Sequence, residues 1–435
     1  MRCDIVHPQA GELVYEIRRI VLLAKRMEAA GVSMTWENIG DPVAKGEQVP
    51  DWIVEHLEEV VRENKSWAYG PSKGVDEARD FVARRNNARG GAQITPEEVC
   101  FYNGVGDAVS KLYSFLNRKA RVLCPSPSYS IHATYEAYHT GKHPLLFHLD
   151  PANGWLPDID EIRTLVDRNR EVAAIMFINP DNPTGLVWPQ ELLRELVEVA
   201  ARYGLFLIAD ENYNRLIFNG KSSALLSDLI GEVPGISLKG ISKEYPWPSS
   251  RCGWMEIYNQ DADPDFKRFV DSVFDAKMIE VCATTQVQMT IPRVMADARY
   301  DKHLEARCTA YAKRSEEFYQ AFLGVEGVKA VRPNGAFLGS VIFDRGALND
   351  RQSLPVENRA AKQILDQVLA DGKVTPDKRF VLYLLASTGI CVVPMTGFTS
   401  KLPGFRTTLL EPDDSRRAWI FSTLREKIQQ YLGSA

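Results

Sequence analysis

The chain of 435 residues carries 52 Lys and Arg against 57 Asp and Glu, a formal net charge of −5, and is 25% charged and 45% hydrophobic. That balance excludes a disordered or fibrous polymer, and at about 150 residues per domain the length supports two or three domains with sizeable cores. A mildly acidic chain with interspersed charges offers no basic stripe to DNA or RNA, so nucleic acid is not an expected partner.

Near the N-terminus the longest apolar run, 20–24, is hemmed in by Arg18, Arg19, Lys25 and Arg26. It is too short for a signal peptide or a membrane span, and neither is expected. A basic amphipathic helix is expected around 12–30, and residues 1–45 read as an arm that packs on a small domain or on a neighbouring subunit. The seven cysteines (3, 100, 124, 252, 282, 308 and 391) are odd in number and never spaced as CxxC, which points to a reducing, cytoplasmic setting and away from a disulfide framework or a metal site.

Residues 46–305 read as a large α/β domain, a mostly parallel sheet of seven-stranded type sandwiched by helices. The clearest strands are 121–124, 172–178, 205–209 and 236–238. Between the second and third, 189–202 has Pro in the first turn, leucines and valines at helical spacing, and Gly204 as a stop, which makes a βαβ unit. The strand from Val172 ends in NPDNPTG at 179–185, whose prolines and glycine can continue neither strand nor helix. A shaped loop at the C-terminal end of a parallel strand is where open α/β sheets bind ligands. Beyond it, 294–323 reads as one long charged helical stretch, followed by 328–331, 333–342 and a helix at 414–432. We take 306–435 as a smaller α+β domain.

Three familiar motifs fail. Gly104-Val105-Gly106 begins like a dinucleotide fingerprint, but Val109 stands at the third glycine and no acid follows near 125–130. Gly220-Lys221-Ser222 lacks the earlier glycine of a P-loop, since Arg215 is there. His139 and His143 are separated by Gly141, which breaks the helix that would align them on a metal.

The informative block is 210–253. Asp210 closes an apolar strand and is followed by Glu211, Asn212 and Tyr213; Ser242-Lys243 comes thirty-three residues on, then Arg251 and Gly253. A lone acid there is more often a helix cap, and a lone lysine more often solvated surface. A carboxylate, a phenol, an amine and a guanidinium together at the loop edge of one sheet are the set that holds an aromatic, phosphorylated aldehyde cofactor.

With NPDNPTG at 179–185, DENY at 210–213 and SKEYPWPSSRCG at 242–253 in this order, the chain resembles the fold-type I pyridoxal-phosphate-dependent aminotransferases of the aspartate/alanine class, over nearly its whole length. The resemblance implies that Lys243 joins pyridoxal 5′-phosphate through its amine and shuttles the substrate proton, and that Asp210 keeps the pyridine nitrogen protonated. It further implies that Tyr213 and Asn182 bond the ring's 3′-oxygen and that Tyr129 stacks on the ring. Val105, Gly106, Asp107, Ser242 and Arg251 would bind the phosphate, with Tyr69 reaching in from the other subunit of a homodimer that shares its active sites. Where the family commonly has a second phosphate-binding serine this chain has Gly240, so that contact is lost or supplied by Thr284 or Thr285. Arg406 matches the arginine that binds the substrate α-carboxylate, with Gly40 and Asn182 beside it.

The implied activity is transfer of an amino group between an L-amino acid, alanine- or aspartate-like, and a 2-oxo acid by a ping-pong route. A lyase or cyclase on the same scaffold is the alternative. The C-terminal block looks most like alanine aminotransferases, although Met395 stands where that subgroup usually has glycine, so the pocket wall would differ. For the substrate side chain, Trp36, Trp188, Tyr15 and Phe337 are candidate walls, and Arg18, Arg19, Arg215 and Arg293 candidate partners for a second carboxylate.

Overall fold

The computed structural model describes residues 5–12, 16–370, 372 and 374–434, so Cys3 and Tyr15 lie outside the described residues, as does the stretch 13–15 of the expected first helix. That helix runs Glu16–Ala29 and buries Ile20, Leu23, Ala24 and Met27, one stripe at helical spacing. It leads into a short strand, β1 (Thr35–Trp36).

The large sheet comprises β2 (Val99–Tyr102), β3 (Arg121–Ser126), β4 (Leu146–Asp150), β5 (Leu156–Pro157), β6 (Val172–Ile178), β7 (Phe206–Asp210), β8 (Gly235–Gly240) and β9 (Gly253–Tyr258). Their spatial order is β2-β9-β8-β7-β6-β3-β4-β5. The central pairings β3–β4, β3–β6, β6–β7 and β7–β8 are parallel, whereas β2 and β9 join antiparallel at one edge. Two-residue β5 adds an eighth strand to the seven expected, at the far edge.

The parallel strands are almost continuously apolar because helices cover both faces. In β6, Val172-Ala173-Ala174-Ile175-Met176-Phe177-Ile178, all but Ala173 are buried. The helix that follows, Gln190–Tyr203, buries Leu193, Leu196, Val199 and Ala200, starts after Pro189 and stops at Gly204, whose φ of +64° suits a residue without a Cβ. Because β3, β6, β7 and β8 run in one direction, the loops after Ser126, Ile178, Asp210 and Gly240 emerge along one edge.

The long helical stretch expected over 294–323 is two helices, Thr285–Met295 and Tyr300–Phe322. Asp297 interrupts it: its carboxylate accepts from the Arg299 backbone N–H at 2.8 Å and from the Arg299 guanidinium, offering the chain a local alternative to helix. The second of these helices passes through 305–306 without a break.

The smaller sheet contains β10 (Val328–Ala330), β11 (Leu338–Phe343), β13 (Val393–Pro394) and β14 (Gly404–Thr408), antiparallel in the order β10-β11-β14-β13; β12 (Ile390–Cys391) lies outside it. β1 pairs in parallel with β12, and Thr408 N–H donates to Glu37 O at 3.0 Å, so the N-terminal segment lies along this sheet. The terminal helix Asp414–Leu432 buries Ile420, Phe421, Leu424 and Ile428. Among the described residues no helix is long and apolar enough to cross a membrane.

Candidate active site

Lys243 sits on a one-turn helix, Ile241–Glu244, directly after β8. Its amine donates to the carbonyl oxygen of Gly40 and lies 5.7 Å from the centre of the Phe337 ring. Burial pulls the amine's pKa down to about 8; Asp41 opposes this, and Arg406, Arg251 and Arg307 add to it. A lysine with its pKa lowered in this way can act as nucleophile and as proton carrier near neutrality.

Asp210 terminates β7 beside it and is 5% exposed. Its Oδ1 accepts from Asn212 N at 3.2 Å and from Asn212 Nδ2 at 2.8 Å, and its Oδ2 lies 3.6 Å from Nε2 of the fully buried His132. Asn212 belongs to the DENY string, where the sequence assigns it no role, while His132 becomes visible only when the helix Ile131–Thr140 is laid against β7. Tyr213 is buried with its ring edge-on to Phe337 at 5.3 Å. Tyr129 follows a loop pinned to the smaller domain, with Ser126 Oγ donating to Thr399 O at 2.9 Å and Ser128 N to Phe398 O at 2.9 Å. In the 179–185 loop, Asp181 is fully buried and accepts from Thr184 N and Oγ1, while Asn182 Oδ1 accepts from Arg406 Nη1 at 3.4 Å.

An anion cup lies at the start of the helix Val105–Phe115. Gly104 caps it at φ +87°, and the first N–H groups, those of Val105 and Gly106, have no carbonyl one turn back to meet. The N–H of Asp107 donates to Gly104 O at 3.0 Å, and its carboxylate accepts from Asn103 N at 3.0 Å. A Cβ on Gly104 would fall 2.3 Å from Nη2 of Arg251, so the glycine lets the guanidinium lie across the helix start. Arg251 itself holds φ +48°, a left-handed conformation that non-glycine residues adopt under constraint. Gly240, at the lost serine position, is hemmed in by Cys252 O, Asn212 Oδ1 and Val105, each 3.0–3.3 Å from where a Cβ would be. Ser242 is half-buried on the lysine's helix.

Arg406 is 3% exposed on β14, paired with Ser340 and Val393. Its Nη2 donates to Asn38 O, and its guanidinium stands over the Phe398 ring at 5.1 Å. Arg406, Asn182, Gly40 and Lys243 thus come together from β14, the 179–185 loop, the N-terminal segment and β8.

The other candidates stand in different surroundings. Trp188 is core, packed on Phe177 and Phe147, whereas Phe337 faces the lysine and Trp36 is half-buried. Arg215 is paired with Asp301 at 2.5 Å, Arg293 with Glu63, and Arg18 and Arg19 are exposed. Met395 is fully buried. Tyr69 is 86% exposed, and Thr285 Oγ1 donates to Ala68 O at 3.2 Å, which puts both on the same outer edge.

A family profile described as aminotransferase class I and II matches residues 37–419. The chain belongs to this family. An uncharacterised aminotransferase of Methanocaldococcus jannaschii is 51% identical over 99% of this chain and 100% of its own. A glutamate-pyruvate aminotransferase of Escherichia coli is 30% identical over 74% of this chain and 78% of its own. Among solved structures, an alanine aminotransferase from Pyrococcus furiosus superposes with a TM-score of 0.83 at 25% identity, covering 98% of this chain and 100% of that one.

The protein is therefore an aminotransferase of the fold-type I aspartate/alanine class, and the lyase alternative finds no support among these relatives. Membership implies dependence on pyridoxal phosphate. The residues fit such a group: a half-buried lysine whose amine has a lowered pKa, a buried carboxylate at a strand end, and a cup that exists because Gly104 has no side chain.

Proposed function

We propose that this aminotransferase moves the amino group of an L-amino acid, L-alanine foremost, onto a 2-oxo acid in two half-reactions that share pyridoxal 5′-phosphate. The observation that carries the reading is the meeting of the Lys243 amine with Gly40, next to Arg406 held by Asn38 and Asn182. An amine of tuned basicity and a carboxylate-binding fork in one pocket suit an α-amino acid. The alanine and glutamate-pyruvate aminotransferases among the relatives support the donor class.

When bound, the cofactor supplies an aldehyde that condenses with amines and a ring that takes up the electron pair released at Cα. Lys243 would hold the cofactor through its amine and, once free, carry the proton from the substrate Cα to the cofactor carbon on the far side of the substrate nitrogen. Asp210, oriented by Asn212 with His132 3.6 Å away, would keep a proton on the ring nitrogen. Tyr213 and Asn182 hold the ring's 3′-oxygen, and Tyr129 covers a ring face. Arg251, the first N–H groups of Val105 and Gly106, the start of the helix at Asp107, and Ser242 hold the phosphate. Arg406 and Gly40 bind the α-carboxylate and fix the Cα–H bond.

A homodimer completes the site, with Tyr69 of each subunit serving the other; its exposure, beside exposed Trp67, supports an edge meant to be covered. Residues 46–305 form the large cofactor-binding domain and 306–435 the small one, with 1–45 as an arm along it. The six described cysteines, all free, support a cytoplasmic setting.

The test is spectroscopic. Protein loaded with pyridoxal phosphate is mixed with single L-amino acids and no acceptor. Conversion of the visible band to the amine form of the cofactor, with one equivalent of 2-oxo acid and no ammonia, is the expected result. Continuous release of ammonia without an acceptor would overturn transamination.

A further inference from the structure

The Lys243 helix is a single turn, too short to satisfy its own C-terminal carbonyls. Arg307, 6% exposed on the helix Tyr300–Phe322, fills that gap: Nη1 donates to Lys243 O at 2.8 Å and to Glu244 O at 2.7 Å. Its Nε donates to Glu47 Oε1, and Nη2 to Glu47 Oε2 at 3.4 Å and Tyr311 OH at 3.1 Å. Tyr311 in turn donates to Glu47 Oε2 at 2.7 Å. All five guanidinium N–H donors are used, which three lysine donors could not reproduce.

Glu47 closes the turn that begins at the substrate end of the pocket. Its N–H donates to Pro42 O at 2.9 Å, and Lys45 N bonds back to Asp41 O and Pro42 O. Gly40, immediately before, accepts from the Lys243 amine. The lysine is thus tied at both ends to one segment: its amine to Gly40, its backbone through Arg307 to Glu47.

We infer that Arg307 and Glu47 form a positioning latch that sets the reach of Lys243 and couples it to the 40–47 segment, so that the proton-carrying amine is in register only when the segment that meets the substrate carboxylate is in place. The inference rests on the functional reading above and adds to it two residues outside the cofactor-contacting set. The charged groups that face the amine are Asp41 from that segment, Arg251 from the loop before β9, Arg406 from β14, and Arg307. Removing Arg307 takes away one of the positive charges that disfavour protonation of the amine.

The test uses the cofactor-loaded wild type and the variants Arg307→Lys, Arg307→Met and Glu47→Gln. Measured are the pH midpoint of the visible band without substrate, then kcat and KM with L-alanine and 2-oxoglutarate. In Arg307→Met the midpoint rises by about half a pH unit or more, because a positive neighbour is gone. In Arg307→Lys the charge stays and the midpoint moves by less than about 0.2 unit, yet kcat falls about tenfold, since a slightly misplaced group is costly in rate. Glu47→Gln lowers kcat by a similar factor, with KM for L-alanine within about threefold of wild type.

Wild-type kcat in Arg307→Lys, or an unmoved midpoint in Arg307→Met with only a lower melting temperature, would reduce Arg307 to a structural brace and overturn the latch. Should Arg307→Met not fold, the kcat values of the other two variants decide. A wild-type protein that takes up no cofactor overturns the functional reading itself, a failure seen before any variant is compared.

Discussion

The amine of Lys243 donates to the carbonyl oxygen of Gly40, two residues 203 positions apart in the chain. A Cβ on Gly40 would stand 4.0 Å from that amine and 3.6 Å from Phe337, ordinary contact distances, so Gly40→Ala should fold normally while filling space between the amine and Phe337. We expect unchanged cofactor uptake and a KM for the amino donor raised about tenfold, the cost of about 1.4 kcal/mol of substrate binding. Steady-state kinetics with L-alanine check this; an unchanged KM would place the carboxylate elsewhere.

Gly104→Ala attacks the anion cup alone. The new Cβ would meet Arg251 Nη2 at 2.3 Å at a backbone φ of +87°, so guanidinium and helix start must separate. Cofactor affinity should weaken by about tenfold or more, as a charge-assisted contact is lost, while the sheet core is untouched. Titration of the apo-protein with pyridoxal phosphate reads it directly.

Behind the site a buried ion cluster carries fold stability. Lys239 Nζ lies 2.6 Å from Glu256 Oε2 and 3.5 Å from Glu211 Oε2, and Tyr258 OH donates to Glu256 at 2.7 Å. Burial would drain the proton from Lys239, but Glu256 and Glu211 outweigh it and keep the ammonium charged. Lys239→Met strands two buried carboxylates and should cost about 3–5 kcal/mol. Denaturant unfolding of the variant checks this, and a loss below about 1 kcal/mol would show that the carboxylates find other partners.

These features differ in how far the sequence announced them. β6 and the helix Asp414–Leu432 lie where the apolar pattern puts them, because hydrophobic spacing alone decides a fully covered strand and an amphipathic helix. The break at Asp297 is not legible that way: alanines and arginines around it favour helix, and only the side-chain turn to Arg299 overrides them. In the site, Lys243, Asp210, Arg251 and Arg406 stand in recognisable strings. Asn212 stands two residues from Asp210 inside DENY, whereas His132 and Arg307 act through contacts between distant segments, for which a single sequence has no spacing to read.

Asp181 sets a pH dependence of stability. Burial lifts its carboxyl from 3.8 to about 7, against hydrogen bonds from Thr184 and Asn182 that favour the anion. Below pH ~4 folded and unfolded chains both hold the proton; between about 4 and 7 only the folded chain does; above 7 neither does. The stabilisation is therefore full in acid and is lost as the pH rises to about 7. In Asp181→Asn the melting temperature of the apo-protein should fall less between pH 5 and pH 8 than in wild type. An identical fall would assign the slope to other groups.

The central claim is that one amine, that of Lys243, carries the cofactor. Borohydride reduction of the protein loaded with pyridoxal phosphate, followed by peptide mass mapping, tests it most directly. The account predicts a single phosphopyridoxyl adduct on the peptide containing Lys243, and neither visible band nor turnover in Lys243→Ala. An adduct on another lysine, or a Lys243→Ala protein that still transaminates at the wild-type rate, would contradict it.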